Sequence, residues 1–286
     1  MDLFRKIDLH MHTTVSDGTD TPEEILDRVR DAGITLFSVT DHDSAKASGI
    51  IPAIRTPEDP LFESGVEFSC KDEDGQYHIL GYGYDPAAAS IRDMVDKSHS
   101  LRLKKVRKRL DFLRDRFGFV FPEAEIGKLF RQDNPGKPHI GNLMVRYGYA
   151  ESKEQAIKGF INQVHFPNEY IRPEEAITAI LEGGGVPVLA HPFYGSGDQL
   201  ILGEDMEMRI RKLMDFGLQG VEAYYSGFTW KLTRQMLAYA VQFDLFVTAG
   251  SDYHGTNKLV TLGDTGLTEG AELPEGLIRF IGRIMG

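Results

Sequence analysis

The sequence is poor in cysteine and in long apolar runs, and it has no surplus of positive charge. Its single cysteine, Cys70, has no intramolecular partner for a disulfide, which fits a reducing compartment and excludes a cysteine-based metal cage. No stretch reaches the roughly 18 apolar residues of a membrane helix, and the N-terminus lacks a signal-peptide pattern. These absences predict a cytoplasmic protein that meets no membrane and holds any metal ion through His, Asp and Glu.

The charge balance limits the partners of the chain. Its formal net charge of −11 argues against binding to extended nucleic acid, because a phosphate backbone is bound by a surplus of Lys and Arg. Residues 97–116 reverse this balance, with nine Lys or Arg against two Asp. That pattern is typical of a solvated helix face, and it also allows one or two of these cations, Arg102 foremost, to bind a substrate phosphate.

The hydrophobic pattern predicts an α/β protein. Seven short apolar runs are rich in strand formers: Lys6–His10, Thr35–Thr40, Leu61–Phe68, Tyr77–Tyr84, Val186–Ala190, Gly220–Tyr224 and Leu245–Ala249. Helical patterns lie between most of them, and Thr21-Pro22-Glu23-Glu24 is typical of a helix start. This alternation indicates a parallel sheet closed or nearly closed into a barrel, with its chemistry at the C-terminal ends of the strands.

The alternation fails between Asp85 and about Ile171. Consecutive helices are predicted there, over Ser90–Phe117, Pro122–Arg131, His139–Tyr147 and Ser152–Asn162. We therefore predict a barrel formed by residues 1–85 and 172–286, and a helical insertion, residues 86–171, that caps the C-terminal rim of the barrel.

Histidines and carboxylates concentrate at the edges of the predicted strands. The first strand ends in His10-Met11-His12, where strand alternation places both imidazoles on one face, within reach of one metal ion. Other strand edges carry His42, Glu67, His78, His191, Asp252 and His254. A barrel brings these edges to one rim, so the nitrogen and oxygen ligands are expected to bind transition metals there.

Six motifs together resemble the PHP (polymerase and histidinol phosphatase) family in order, spacing and flanking residues. They are His10-Met11-His12, Ser16-Asp17-Gly18, Thr40-Asp41-His42-Asp43, Gly65-Val66-Glu67-Phe68-Ser69, Ala190-His191-Pro192 and Gly250-Ser251-Asp252-Tyr253-His254. The resemblance covers nearly the whole chain and is greatest to small phosphoesterases with a helical insertion. It implies a distorted seven-stranded (β/α) barrel with that insertion over the C-terminal rim.

The resemblance also implies three metal positions. The first is held by His10, His12, Glu67 and Asp252, the second by Glu67, His78 and His191, and the third by Asp17, His42 and His254. Two to three divalent ions of Mn, Fe or Zn are therefore expected, with Glu67 as the bridge. His191, Asp17 and His254 are expected to be catalytic.

The insertion contains further residues that resemble the family branch. His139 matches a histidine that relatives carry, whereas Lys137 stands where an arginine often precedes the proline. His99 stands three residues before Arg102, again where relatives often carry arginine. Arg102, His139 and Lys137 are predicted to bind substrate, through a phosphate clamp that differs from that of relatives.

The predicted function is hydrolysis of small phosphate esters by attack of a metal-bridging hydroxide. Nucleotide or sugar phosphate monoesters and a small cyclic phosphodiester all fit as the small anionic substrate. Two alternatives stay open, a metal-binding barrel without catalysis and a metal-dependent amidohydrolase. The second is less favoured, because a basic insertion suits phosphate better than an amide.

Overall fold

A computed structural model describes residues 4–166, 169–195 and 200–286. The strands are β1 (Ile7–Asp8), β2 (Leu36–Val39), β3 (Leu61–Asp72), β4 (Gly75–Tyr82), β5 (Val186–Leu189), β6 (Gly220–Tyr225) and β7 (Phe246–Gly250). The α-helices are α1 (Pro22–Asp31), α2 (Ala47–Ile54), α3 (Ala89–Phe117), α4 (Glu123–Phe130), α5 (Lys137–Arg146), α6 (Lys153–Gln155), α7 (Pro173–Glu182), α8 (Gly203–Asp215), α9 (Trp230–Gln242) and α10 (Glu275–Met285). A π-helical turn (Ala156–Phe160) and a 3-10 turn (Ile161–Gln163) follow α6, and another 3-10 turn (Gly255–Asn257) follows β7.

The seven strands form one sheet in sequence order that nearly closes into a barrel. Just beyond β1, the Leu9 amide donates to the Ala249 carbonyl of β7 over 2.8 Å. Met11 then pairs in parallel with Tyr253. The two edges of the sheet therefore meet at the level of the His-x-His segment, and the predicted seven-stranded barrel is confirmed.

Strand β4 departs from the predicted parallel sheet, because it runs antiparallel to both β3 and β5. Asp72 pairs with Gly75, so only two residues connect β3 to β4, and a connection this short joins antiparallel strands. The start of β4 consequently lies at the rim where the parallel strands end. This reversal explains why His78, near the start of its strand, joins residues from the ends of other strands.

Helix α1 shows how local sequence and burial together place the outer helices. The Thr21 hydroxyl accepts from the Glu24 amide, and the Glu24 carboxylate accepts from the Thr21 amide, which satisfies two backbone donors. Ile25 and Val29, one turn apart, are fully buried. Burying a side chain of that size contributes roughly 1.5–3 kcal/mol, so packing outweighs the cap in holding the helix against the sheet.

Helices α3 to α5, with the π-helical and 3-10 turns that follow α6, have an apolar cluster of their own, separate from the main barrel core. Val106 and Leu113 of α3 are fully buried in it, together with Ile140 and Met144 of α5. Residues 1–3 and 196–199 of the predicted barrel and 167–168 of the predicted insertion lie outside the described residues. Within the described chain, no helix has the length and apolar character needed to cross a membrane.

Candidate metal centre

Glu67 lies at the centre of the rim and is 1% exposed. Its two carboxylate oxygens face two separate sets of imidazoles. Oε2 lies 3.0–3.3 Å from ring nitrogens of His10, His12 and His42. Oε1 lies 2.9 Å from His78 Nδ1 and 3.2 Å from His191 Nε2. One carboxylate is therefore shared between neighbouring groups of ligands, as a bridge between two ions requires.

Asp17 lies on the loop after β1 and forms a second cluster with histidines of the rim. Its Oδ1 is 3.3 Å from His254 Nε2 and 4.0 Å from His42 Nε2. Gly18 allows this loop to pack closely, since a Cβ there would lie 2.3 Å from the His12 carbonyl oxygen. The Ser16-Asp17-Gly18 motif thus folds a carboxylate back over the His-x-His segment.

Asp252 follows β7, and its two carboxylate oxygens contact different partners. Oδ1 lies 3.5 Å from His10 Nε2 and 3.4 Å from His12 Nε2. Oδ2 accepts a hydrogen bond from the Tyr225 hydroxyl over 2.9 Å and forms an ion pair with Lys258. With Asp252, all nine predicted metal-binding residues meet at one rim.

Several buried atoms at this rim have no hydrogen-bond partner among the described residues. They are His10 Nε2, His12 Nε2, Asp17 Oδ1, His42 Nδ1 and Glu67 Oε2. An unsatisfied buried polar atom costs about 1–3 kcal/mol, so a group of them that face one another needs a compensating ligand. Imidazole nitrogens and carboxylate oxygens in this arrangement fit divalent metal ions.

The charges of the rim favour a cation. Burial opposes ionisation of Glu67, but the fields of His78, His42 and His10 outweigh it and hold the Glu67 pKa well below its usual range. Burial lowers the pKa of His78 to about 4, against the pull of Glu67. Burial also opposes protonation of His42, but the fields of Glu67 and Asp17 outweigh it and raise the His42 pKa to about 9. A metal ion would take the place of such a proton, because ionised carboxylates and neutral imidazoles are the forms that coordinate metal ions.

Backbone strain is also concentrated here. Four described residues other than glycine have a positive φ angle. Asp244, with 54°, lies before β7 and away from the rim, whereas Asp43, His191 and Asp252 lie at the rim, with values of 51°, 29° and 57°. Such conformations cost of order 1–3 kcal/mol for residues with a side chain and tend to mark functional sites. Each of the three follows a strand and turns its side chain or that of its neighbour toward the rim.

Glu222 of β6 is a functional candidate that the sequence motifs missed. It is fully buried, its Oε1 lies 2.9 Å from His10 Nδ1, and its Oε2 accepts from the His191 amide over 2.7 Å. The contact at Nδ1 leaves His10 Nε2 facing the rim. Gly250 makes room, because a Cβ there would lie 2.4 Å from Glu222 Oε1. An acid inside the apolar run Gly220–Tyr225 was the available signal.

The three predicted substrate-binding residues lie beside the rim in different settings. The Arg102 guanidinium pairs with the Asp43 carboxylate and donates to Ser69 Oγ over 3.2 Å. Lys137 Nζ donates to Asn162 Oδ1 over 2.7 Å, and His139 Nδ1 accepts from the Gly136 amide over 3.0 Å. Arg102 is thus already neutralised by a carboxylate.

A cavity of about 310 Å³ opens over the rim. One wall consists of proposed metal ligands, namely Asp17, His42, Glu67, His78, His191, Asp252 and His254. Pro138, Lys153 and Ile157 line it from the α3–α6 segment, and Asn257 and Lys258 line it from the barrel side. Fold and site together are those of a hydrolase whose α/β barrel offers a multidentate site for divalent metals.

Comparison with known proteins narrows this class. No protein-family model matches the chain. It is 29% identical over 268 residues to a 5′-3′ exoribonuclease of Haemophilus influenzae, covering 91% of this chain and 94% of the relative. It is 27% identical to a 3′,5′-nucleoside bisphosphate phosphatase of Chromobacterium violaceum, covering 88% of each. A phosphoribosyl 1,2-cyclic phosphate 1,2-diphosphodiesterase of Eggerthella lenta is 28% identical, over 87% of this chain and 94% of the relative.

A solved structure agrees. A protein of Bifidobacterium adolescentis assigned as a metal-dependent phosphoesterase superposes with a TM-score of 0.80 at 26% identity, covering 97% of this chain and 96% of the other. The three curated relatives are all named as enzymes that hydrolyse phosphoester bonds, which confirms the predicted reaction class. The chain is a phosphoric ester hydrolase.

Proposed function

We propose that the rim is the multinuclear metal site of a PHP-family phosphoesterase, with two to three Mn, Fe or Zn ions per chain. The single observation that carries this proposal is the division of the Glu67 oxygens between two sets of imidazoles. The first ion would be held by His10, His12, Glu67 and Asp252, the second by Glu67, His78 and His191, and the third by Asp17, His42 and His254.

Divalent ions bound there would supply Lewis acidity toward phosphoryl oxygens and water of lowered pKa. The side chains of the protein would receive the phosphate at the open side of the site. Asp17, His191 and His254 line the cavity there. His254 Nε2 and Asp17 Oδ1 lie 3.3 Å apart, close enough for both atoms to bind one ion beside the phosphate. We therefore propose that these three residues contact the phosphate group that is hydrolysed.

The substrate we propose is a small phosphate ester, such as a nucleotide or sugar phosphate monoester or a small cyclic phosphodiester. A cavity of about 310 Å³ suits such a molecule. The bisphosphate phosphatase and the cyclic phosphate diphosphodiesterase among the relatives support the same class.

We further propose that residues 86–171 act as a cap that selects the substrate. Lys137 and His139 would contribute to this selection, whereas Arg102, also predicted to bind substrate, would attach the cap to the barrel through Asp43. Pro138 and Ile157 support this role, because they place apolar groups against the cavity and limit the access of water. The field of Asp17 reaches His139, where it opposes the lowering of the His139 pKa by burial.

A second candidate is hydrolysis at the end of an RNA strand, which the exoribonuclease of H. influenzae favours. The overall negative charge of the chain weighs against long contacts with a phosphate backbone. An RNA oligonucleotide with a 5′-phosphate separates the two candidates, since release of successive mononucleotides would indicate the exonuclease.

The proposed function is tested by assaying protein reconstituted with Mn, Fe or Zn against 4-nitrophenyl phosphate, adenosine 3′,5′-bisphosphate, a cyclic phosphodiester and the RNA. Hydrolysis of at least one small ester is expected, and the double variant His10→Ala/His12→Ala should abolish it. His99→Ala, which changes a histidine of α3 outside the rim, is the matched control. Inactivity with every metal, or full activity of the double variant, would contradict the proposal.

A further inference from the structure

The cavity over the rim has a cationic edge that none of the motifs includes. Lys153, the first residue of α6, and Lys258, just after the 3-10 turn that follows β7, line the same cavity as Asp17 and Asp252. The two lysines come from opposite sides of the cavity, one from the α3–α6 segment and one from the barrel. Any ester seated on the metal ligands lies in a cavity that both ammonium groups border.

The ammonium group of Lys153 is held toward the cavity by neutral groups. Nζ donates to Asn257 Oδ1 over 2.6 Å and approaches the Asn257 carbonyl oxygen at 3.4 Å. The aliphatic stem packs on α5 at Gly141, where a Cβ would lie 3.2 Å from Lys153 Cγ. These contacts fix the direction of the side chain. Among residues 4–166, 169–195 and 200–286, no carboxylate is bonded to the ammonium group, so its charge stays available to an anion.

Asn257 connects this lysine to the metal ligands. Its Nδ2 donates to the Asp17 backbone carbonyl over 2.8 Å. Lys258, the next residue, donates from Nζ to the Tyr225 hydroxyl over 3.0 Å and pairs with Asp252. Lys153 is therefore linked to Asp17 through Asn257, and Lys258 contacts Asp252 directly.

The Arg102 guanidinium, in contrast to the Lys153 ammonium group, is already paired with a carboxylate. Its partner is the buried Asp43 carboxylate, and the lining of the cavity includes Pro138 and Lys153 from the same segment but not Arg102. A phosphate at Arg102 would first have to displace a carboxylate. At Lys153 it would displace an amide oxygen, which is the weaker competitor for a cation.

We propose that Lys153 binds a second anionic group of the substrate and makes the enzyme prefer esters that carry two phosphates. The inference rests on the proposed function, since it assumes that a first phosphate sits on the rim. Lysine suits this task as a compact point charge that tolerates several phosphate orientations.

The test compares kcat/KM for adenosine 3′,5′-bisphosphate and for 4-nitrophenyl phosphate on Mn-reconstituted enzyme. Lys153→Met should lower kcat/KM for the bisphosphate at least tenfold more than for the aryl phosphate, chiefly through KM. Lys153→Arg should restore most of the preference. Asn257→Ala, which removes the orienting partner but keeps the ammonium group, should lower the preference less than Lys153→Met does.

The control is Lys128→Met, because Lys128 of α4 pairs on the surface with Glu125 at 2.7 Å, away from the cavity residues. It should leave both substrates unaffected, and elemental analysis should find wild-type metal content in every variant. Equal losses on both substrates, or none, in Lys153→Met would overturn the inference while the proposed function stands. A wild-type enzyme that turns over neither ester overturns both.

Discussion

The barrel rim and helix α3 both bury charged side chains, but in opposite ways. At the rim, atoms of His10, His12, His42 and Glu67 lie close together and lack hydrogen-bond partners among the described residues. Along α3, Lys105 Nζ lies 3.7 Å from the centre of the Tyr170 ring and the Arg109 guanidinium lies 4.8 Å from that of Phe166. Convergence on a common point indicates a ligand, whereas cations covered one by one by rings indicate packing.

The largest loss of metal and of activity is expected from a change at Glu67, because the ligand atoms of the rim converge on its carboxylate. Glu67→Gln removes the negative charge that faces both sets of imidazoles, so it should release more than one ion and lower kcat by about 10³-fold or more. Elemental analysis and kcat measure the two effects. His254→Ala, which touches one proposed position, should lose less of both, and Glu63→Gln on the same strand is the control. Equal losses in the Glu67 and His254 variants would remove the distinction between bridge and ordinary ligand.

Arg102 provides the corresponding test on α3. Arg102→Ala leaves the Asp43 carboxylate buried without its guanidinium, so the free energy of unfolding should fall by about 2–4 kcal/mol. Urea denaturation measures this loss, and the double variant Arg102→Ala/Asp43→Ala should recover part of it. If the Arg102→Ala protein is fully stable but has a raised KM for every phosphate ester, Arg102 binds substrate and does not stabilise the fold.

Glu222 should behave as a positioning residue. Glu222→Gln keeps the shape of the side chain but weakens its hold on His10 Nδ1, so the affinity for the metal should fall about 10- to 100-fold. Titration against a competing chelator measures the affinity, and thermal unfolding of the metal-free protein should change little. Wild-type affinity would mean that Glu222 only fills the barrel core.

The smallest effect is expected from a change at Lys105. Burial lowers the pKa of the Lys105 ammonium group to about 7. The charges of Arg102, Arg109 and Lys137 act in the same direction, and that of Asp43 acts against it. Between pH 7 and the unfolded pKa near 10.5, the unfolded chain binds more protons at this site than the folded chain does. The contribution of Lys105 to stability therefore improves as pH rises through that window.

Replacing Lys105 removes its contribution to the pH dependence of stability. Lys105→Met should raise the free energy of unfolding at pH 7 by roughly 1–3 kcal/mol, less than the full pKa shift because the contact with the Tyr170 ring is lost. Urea denaturation at pH 7 and pH 9.5 measures the change, and the gain should shrink at the higher pH. Destabilisation at both pH values would mean that the ring contact outweighs the cost of burial.

Much of the rim was predictable because its chemistry is local in sequence. The His10-Met11-His12 spacing specifies one face of a strand, and Ser16-Asp17-Gly18 is a tight turn beside it. The direction of β4 was missed, although Asp74-Gly75 is a common hairpin signal that predicts an antiparallel neighbour.

The remaining features depend on tertiary contacts. Glu222 is one acid in an apolar strand, and its meaning appears only when β7 brings His10 beside it. The pairing of Arg102 with Asp43 joins residues that are 59 positions apart, and nothing in either segment specifies the other. Lys153 and Lys258 share a cavity only because the segment that follows α5 folds back over the rim. Periodicity and spacing carry no information about such distant pairs.

Anomalous X-ray scattering from a crystal of the Mn-loaded protein tests the central claim most directly. We expect two or three anomalous peaks at the rim, with the two oxygens of Glu67 bound to different ions. A single peak, no peak, or ions that Glu67 does not touch would contradict the account of Glu67 as the bridge of a multinuclear site.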